Sequence, residues 1–167
     1  MDDQSKWSLP SNLDTAHFRE VLGHFATGVT VITSIDDKGP MGLTCQAFMS
    51  LSLRPQLVAM AISIESTTWP RMQAVGRFCV NVMNENQESI CRAFSISGQN
   101  KFEKVGWSSG ECGLPLLIDS LAWIECRPQQ VYEGGDHHLI IAEVESMGTK
   151  SGSPLVFYRG GYRTLES

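Results

Sequence analysis

Apolar and polar positions along this chain change period several times, and each change marks an element. After Asp14, a plausible N-cap, Phe18, Val21, Leu22 and Phe25 recur at i, i+3, i+4 and i+7, which predicts a helix with one apolar face closed by Gly28. Residues 29–35 are rich in β-branched side chains and end in Asp36-Asp37-Lys38-Gly39. Residues 41–46 then alternate again, so the two runs predict a hairpin. Pro55 is expected to force an extended exit into residues 57–64, LVAMAISI, which are apolar on both faces and predict a central strand. Ser66-Thr67-Thr68-Trp69-Pro70 opens a short helix that Gly76 ends.

Further on, FCVNVM over residues 78–83 places Phe78, Val80 and Val82 on one face of a strand and Cys79, Asn81 and Met83 on the other. An amide in mid-strand is expected to satisfy a strand end or a barrel corner. Asn84 and Gln87 resemble a capping-box pair before a helix whose face is Ile90 and Phe94. Residues 103–115 are Gly-rich and predict a rim loop, whereas residues 121–132 and 138–147 are long strand-like runs joined by Glu133-Gly134-Gly135-Asp136, a hairpin signal. A last strand is expected over residues 154–158. Many strands with two or three short helices fit a mainly β, α+β domain: a closed antiparallel barrel with helices packed outside. Residues 1–13 read as a polar arm and 14–167 as one domain, without repeat or linker.

A length of 167 residues buries a sizeable core without disulfides. The formal charge of −5 excludes the basic stripe that a nucleic-acid surface requires. No apolar run approaches the roughly 20 residues of a membrane-spanning helix, and the acidic, polar start does not resemble a signal peptide, so a cytoplasmic location is expected. The five cysteines form no C-x-x-C pair and predict free thiols instead of a disulfide framework or a zinc site. A Ser-His-Asp order, G-x-S-x-G, a P-loop and G-x-G-x-x-G are all missing.

The stretch that an apolar core does not explain is residues 41–55, MGLTCQAFMSLSLRP. Thr44, Cys45, Gln46, Ser50 and Ser52 sit where apolar side chains would be simpler to bury, and short polar groups beside free backbone N–H groups suit a phosphate or the edge of a flavin ring. The Ser66–Trp69 segment adds hydroxyls at a helix start, where an anion is favoured. His137 and His138 are neighbours expected to point to opposite faces, so one of them at most serves a given site.

Together with FATGVTVIT (residues 25–33), STTW, GRFCVNVM, KF (Lys101-Phe102), GGDHH and FYRGGY, this stretch resembles the short flavin reductases, the reductase partners of two-component flavin-dependent monooxygenases. The likeness runs over residues 18–162 in the family's order and looks nearest to reductases serving aromatic- or steroid-ring hydroxylases. It implies a Greek-key split barrel and a homodimer that moves hydride from NADH or NADPH to FMN or FAD for a separate monooxygenase. It further implies that Met41, Gly42, Leu43, Thr44, Cys45, Gln46, Ala47, Ser50 and Ser52 hold the isoalloxazine edge and ribityl chain. Ser63, Thr67 and Thr68 would take the phosphate, Phe94 and Lys101 would close the flavin side, and His137, Tyr158 and Arg159 would border the nicotinamide. Cys45-Gln46-Ala47 departs from the small hydroxyl residues common there. Hydride transfer between two rings asks the protein for position more than for an acid or base, so the missing nucleophile motifs fit this reaction. Two alternatives remain open: an enzyme like pyridoxamine phosphate oxidase on the same barrel, and a flavin-binding module without catalysis.

Overall fold

The computed structural model describes residues 14–98 and 101–165, so the arm expected over residues 1–13 lies outside the described part. Helix α1 (Thr15–Leu22) starts where the Asp14 carboxylate accepts the His17 amide at 2.7 Å, as the cap predicts. It ends sooner than expected. Gly23 is the C-cap, and Gly28 belongs to the two-residue strand β1 (Thr27–Gly28), so Phe25 stands beyond the helix. Glycine is the poorest ordinary helix former, and the Gly23 amide closes the last turn on Arg19 O at 2.9 Å.

Strands β2 (Thr30–Asp36) and β3 (Gly39–Cys45) form the predicted hairpin, with Asp36 opposite Gly39. Strands β4 (Phe48–Leu53) and β5 (Gln56–Ser63) form a second, with Leu53 opposite Gln56. Pro55 therefore shares a two-residue turn with Arg54 and does not make the extended exit expected of it; the fixed φ of proline serves a turn equally well. With β6 (Phe78–Val82), β9 (Ala122–Gly134) and β10 (His137–Thr149), these strands make one antiparallel sheet in the order β3-β2-β6-β9-β10-β5-β4. Strand β5 is thus next to the end of the sheet, not central. Its two apolar faces have different uses: Val58, Met60 and Ile62 fill the core, and the small Ala59, Ala61 and Ser63 alternate with them on the other side.

The sheet ends, β3 and β4, follow one another in the chain, and no ladder among the described residues joins them. Where the connection passes, the Ala61 amide donates to Ala47 O at 2.9 Å and ties it to β5. The sheet is thus open along this seam, and its ladders do not close the barrel expected from the strand count. One core cluster gathers Ile32, Met60, Phe78, Val80 and Ile140 with Trp69 and Met72 of helix α2 (Trp69–Val75). A second gathers Val29, Val31, Met83 and Leu117 with Cys91 and Phe94 of helix α3 (Glu88–Ser95). Val31 and Ile32 are neighbours that feed different clusters, which is why β2 is buried on both faces.

The stretch expected to be an irregular rim loop holds a small hairpin, β7 (Trp107–Ser109) with β8 (Pro115–Leu117). Asn81 fixes it. This fully buried amide donates to Val31 O at 3.1 Å and to Thr33 Oγ1 at 2.9 Å, and accepts the Leu117 amide at 2.8 Å, so the mid-strand polar residue joins three strands. FYRGGY forms the hairpin of β11 (Leu155–Tyr158) and β12 (Gly161–Thr164), which with β1 makes a separate three-stranded sheet. Among the described residues no helix is long and apolar enough to cross a membrane.

Candidate functional site

At one end of the large sheet, the ends of β3 and β5, the tip of the β9–β10 hairpin and the start of α2 surround a groove of about 450 Å³. Leu43, Thr44, Cys45, Gln46 and Ala47 line it from β3 and its exit, and Ser63 from β5. Thr67, Thr68, Phe94, Lys101 and His137 complete the set of expected residues found there. The register explains the meeting of β5 and β10. Ser63 stands opposite His137 and Ala61 opposite Leu139, and directly opposed residues of an antiparallel pair share a face. His138, opposite Ile62, turns to the other face. Gly135, at φ 72°, supplies the left-handed turn residue that brings His137 to the tip.

These residues differ in how free they are. Thr44 Oγ1 donates to Cys91 O at 2.6 Å, which pins β3 to α3. The Cys45 thiol is buried, lies 3.5 Å from both Ala47 O and Ala61 O, and is pushed by burial up to about 11, so it stays protonated and inert. Both polar groups therefore serve the wall, and their donors are not offered to a ligand as the sequence implies. Phe94 is 1% exposed and stacks edge-on against Phe102 with centroids 5.0 Å apart, so it braces the wall from behind. A methyl on Gly42 would strike the Phe94 ring, which is why β3 carries glycine there.

The start of α2 is capped by Ser66, whose Oγ accepts the Trp69 amide at 3.1 Å. Thr68 makes no side-chain cap bond, and Thr67 is exposed toward the groove. Lys101 faces them. Its half-buried ammonium donates to Gly42 O at 3.2 Å and Phe94 O at 3.3 Å, has no carboxylate partner among the described residues, and is pushed by desolvation below the ordinary lysine value. An ammonium has three protons, so one remains for an anion. His137 Nδ1 lies 2.7 Å from Asp136 Oδ1; this contact holds the Asp136 carboxyl below its usual range and makes Nδ1 the donor, leaving Nε2 for a ligand.

Six expected residues lie elsewhere. Met41 is buried in the first core cluster, and Met41 and Gly42 line a neighbouring groove with Thr68 and Lys101. Ser50 and Ser52 sit on β4, where Ser52 Oγ accepts the Arg54 amide at 3.2 Å and shapes the turn. Tyr158 meets His24 edge-on at 6.4 Å, and the Arg159 amide donates to Gly23 O at 2.8 Å, so this pair anchors the end of α1. None of these four lines the groove. Conversely Ala61, Glu65, Ser66 and the Ser95-Ile96-Ser97 segment do line it. The small residues alternating with large ones on β5 signal Ala61, whereas nothing in the sequence marks the segment after α3.

Residues 22–166 match the model of the family described as flavin reductase like domain. The chain is 40% identical over 161 residues to the flavin-dependent monooxygenase reductase subunit HsaB of Mycobacterium tuberculosis, covering 95% of this chain and 86% of that one. It is 43% identical over 155 residues to HsaB of Rhodococcus jostii, covering 92% and 80%. The NADH:FAD oxidoreductase SgcE6 of Streptomyces globisporus, solved in complex with NAD and FAD fragments, aligns with a TM-score of 0.87 at 34% identity over 92% of this chain and 93% of that one.

Proposed function

Because the chain belongs to the flavin reductase like family, we propose that the groove beside β3 and β5 receives the isoalloxazine ring of FMN or FAD, with the nicotinamide of NADH or NADPH laid against it. The protein is an NAD(P)H-dependent flavin reductase, of the kind that supplies reduced flavin to a separate monooxygenase. When both are bound, the flavin takes the hydride that the reduced nicotinamide gives up.

The chain's own residues bind, orient and shield. Ala47, Ala61 and Ser63 keep the wall low enough for flat rings, and the backbone of residues 43–47 offers polar groups along one edge. Thr67, Thr68 and the spare proton of Lys101 take the phosphate. Nε2 of His137, aimed by Asp136, bonds the nicotinamide side and fixes which face it presents. The observation that carries this assignment is Lys101, a partly desolvated cation without a carboxylate partner among the described residues, which lines the groove together with two threonines. A charge-assisted hydrogen bond from its remaining proton favours an anion there.

The partner is a monooxygenase component, and the assembly we propose is a homodimer in the cytoplasm. The helical face of α1 supports the dimer, since Phe18, Val21 and Leu22 are 56, 50 and 56% exposed and Phe25 beyond it 76%. The five free cysteines, four of them buried, support a reducing compartment. Purified protein given FMN or FAD should oxidise NADH or NADPH far faster than flavin alone; a rate equal to that background would leave only a flavin-binding module.

A further inference from the structure

We infer that Glu65 governs product release: its carboxylate disfavours the negative charge that a flavin acquires on reduction, and so biases the groove toward oxidised substrate and against reduced product. The inference rests on the reductase reading above and concerns what makes the product leave. Among the described residues that line the groove, Glu65 is the one carboxylate and Lys101 the one lysine. Their places differ. Thr68 and Lys101 also line the neighbouring groove, whereas Ser63, Glu65 and His137 line this one alone. The carboxylate therefore stands with the residues assigned to the rings, and the cation with those assigned to the phosphate.

Local structure holds Glu65 there. After β5 the chain turns on Ser63, whose Oγ accepts the Glu65 amide at 3.2 Å and whose carbonyl accepts the Ser66 amide at 3.0 Å. The Ile64 amide donates to Asp136 O at 3.1 Å, which ties this turn to the hairpin tip that bears His137. Asp136 brings a second carboxylate to the tip, but His137 Nδ1 engages it at 2.7 Å, whereas Glu65 is in no ion pair among the described residues. A carboxylate left uncompensated is a poor choice for a groove that only binds phosphorylated nucleotides. Reduction gives it a use. Hydride transfer moves two electrons and one proton from the nicotinamide ring to the isoalloxazine, with no proton drawn from solvent, so the first becomes cationic and the second gains one negative charge. The phosphate carries the same charge before and after. Its repulsion by Glu65 therefore cancels between the two forms of the flavin, and the charge on the ring remains as the difference.

Anaerobic equilibrium dialysis of the full-length protein against oxidised and dithionite-reduced FMN and riboflavin, at mildly alkaline pH and low salt, tests this. Glu65→Gln should strengthen binding of the reduced form about threefold more than that of the oxidised form, the scale of two unit charges a few ångströms apart in water-like surroundings. FMN and riboflavin should show the same change, because the phosphate does not enter it. The midpoint potential of bound flavin should rise by about 14 mV, that factor at 29.6 mV per decade for a two-electron couple. High salt should shrink the difference. Glu103→Gln, which removes the same charge from the lining of the neighbouring groove, should leave the ratio as in the wild type. Equal strengthening of both forms by Glu65→Gln, an unchanged ratio, or the same response from Glu103→Gln would overturn the role of Glu65 while leaving the reductase assignment standing. If the wild type binds neither form, the flavin groove itself is wrong and this inference goes with it.

Discussion

Lys101 shows what a single side chain contributes here and how far the sequence reveals it. A lone lysine in a turn reads as a solvated charge, and beyond the KF resemblance it is the setting between two carbonyls, away from any carboxylate among the described residues, that supports the phosphate role proposed for it. A charge-assisted bond of this kind is worth about 1.5–3 kcal/mol, so Lys101→Met should weaken FMN about 10- to 100-fold while riboflavin, lacking the phosphate, binds as before. Burial lowers the Lys101 pKa, so the ammonium loses its proton as pH rises through a value below the ordinary 10.5. FMN affinity should accordingly decline on the alkaline side at lower pH than an exposed lysine would give, and riboflavin affinity should lack that component. His137→Ala should raise the KM for the nicotinamide with flavin affinity nearly unchanged; equal loss of both would remove His137 from that border. Thr44 and Cys45 show the converse. The sequence displays polar atoms in a strand, but not that the backbone already claims them.

Long elements were legible because they keep their period. The β2–β3 and β9–β10 hairpins follow from strand-like runs and turn residues, and β5 from an unbroken apolar run, though not its place next to the sheet end. Short ones were not. Strands β7, β8, β1 and β12 have two to four residues, too few for a period, and β7 and β8 take their place from contacts distant in sequence, chiefly the Asn81 amide. The packing of β3 on α3 is equally hidden, since it depends on Gly42 meeting the Phe94 ring. Gly42→Ala should destabilise the fold by about 1–3 kcal/mol in chemical denaturation, the usual cost of overpacking, and should weaken flavin binding because the same wall bears Thr44 and Lys101. A variant as stable as the wild type would show that Phe94 yields freely.

For the whole molecule, the mainly β, antiparallel architecture was readable from the sum of its strands, and residues from positions 43–47, 63, 67–68, 94, 101 and 137 line one groove. Ser50, Ser52, Tyr158 and Arg159 are the expected residues that stand away from it. Leu22→Glu with Phe25→Glu should convert a dimer to monomers in sedimentation velocity if the exposed face around α1 is the interface; an unchanged dimer would place the interface elsewhere. The central claim is that the groove orders two flat rings face to face, and hydride stereochemistry tests it most directly. With NADH deuterated on one or the other face of C4, the protein should remove deuterium from one face only, and the NAD+ formed should retain all of it or none. A mixed product from each labelled substrate, turned over at the enzymic rate, would contradict an ordered stack in that groove.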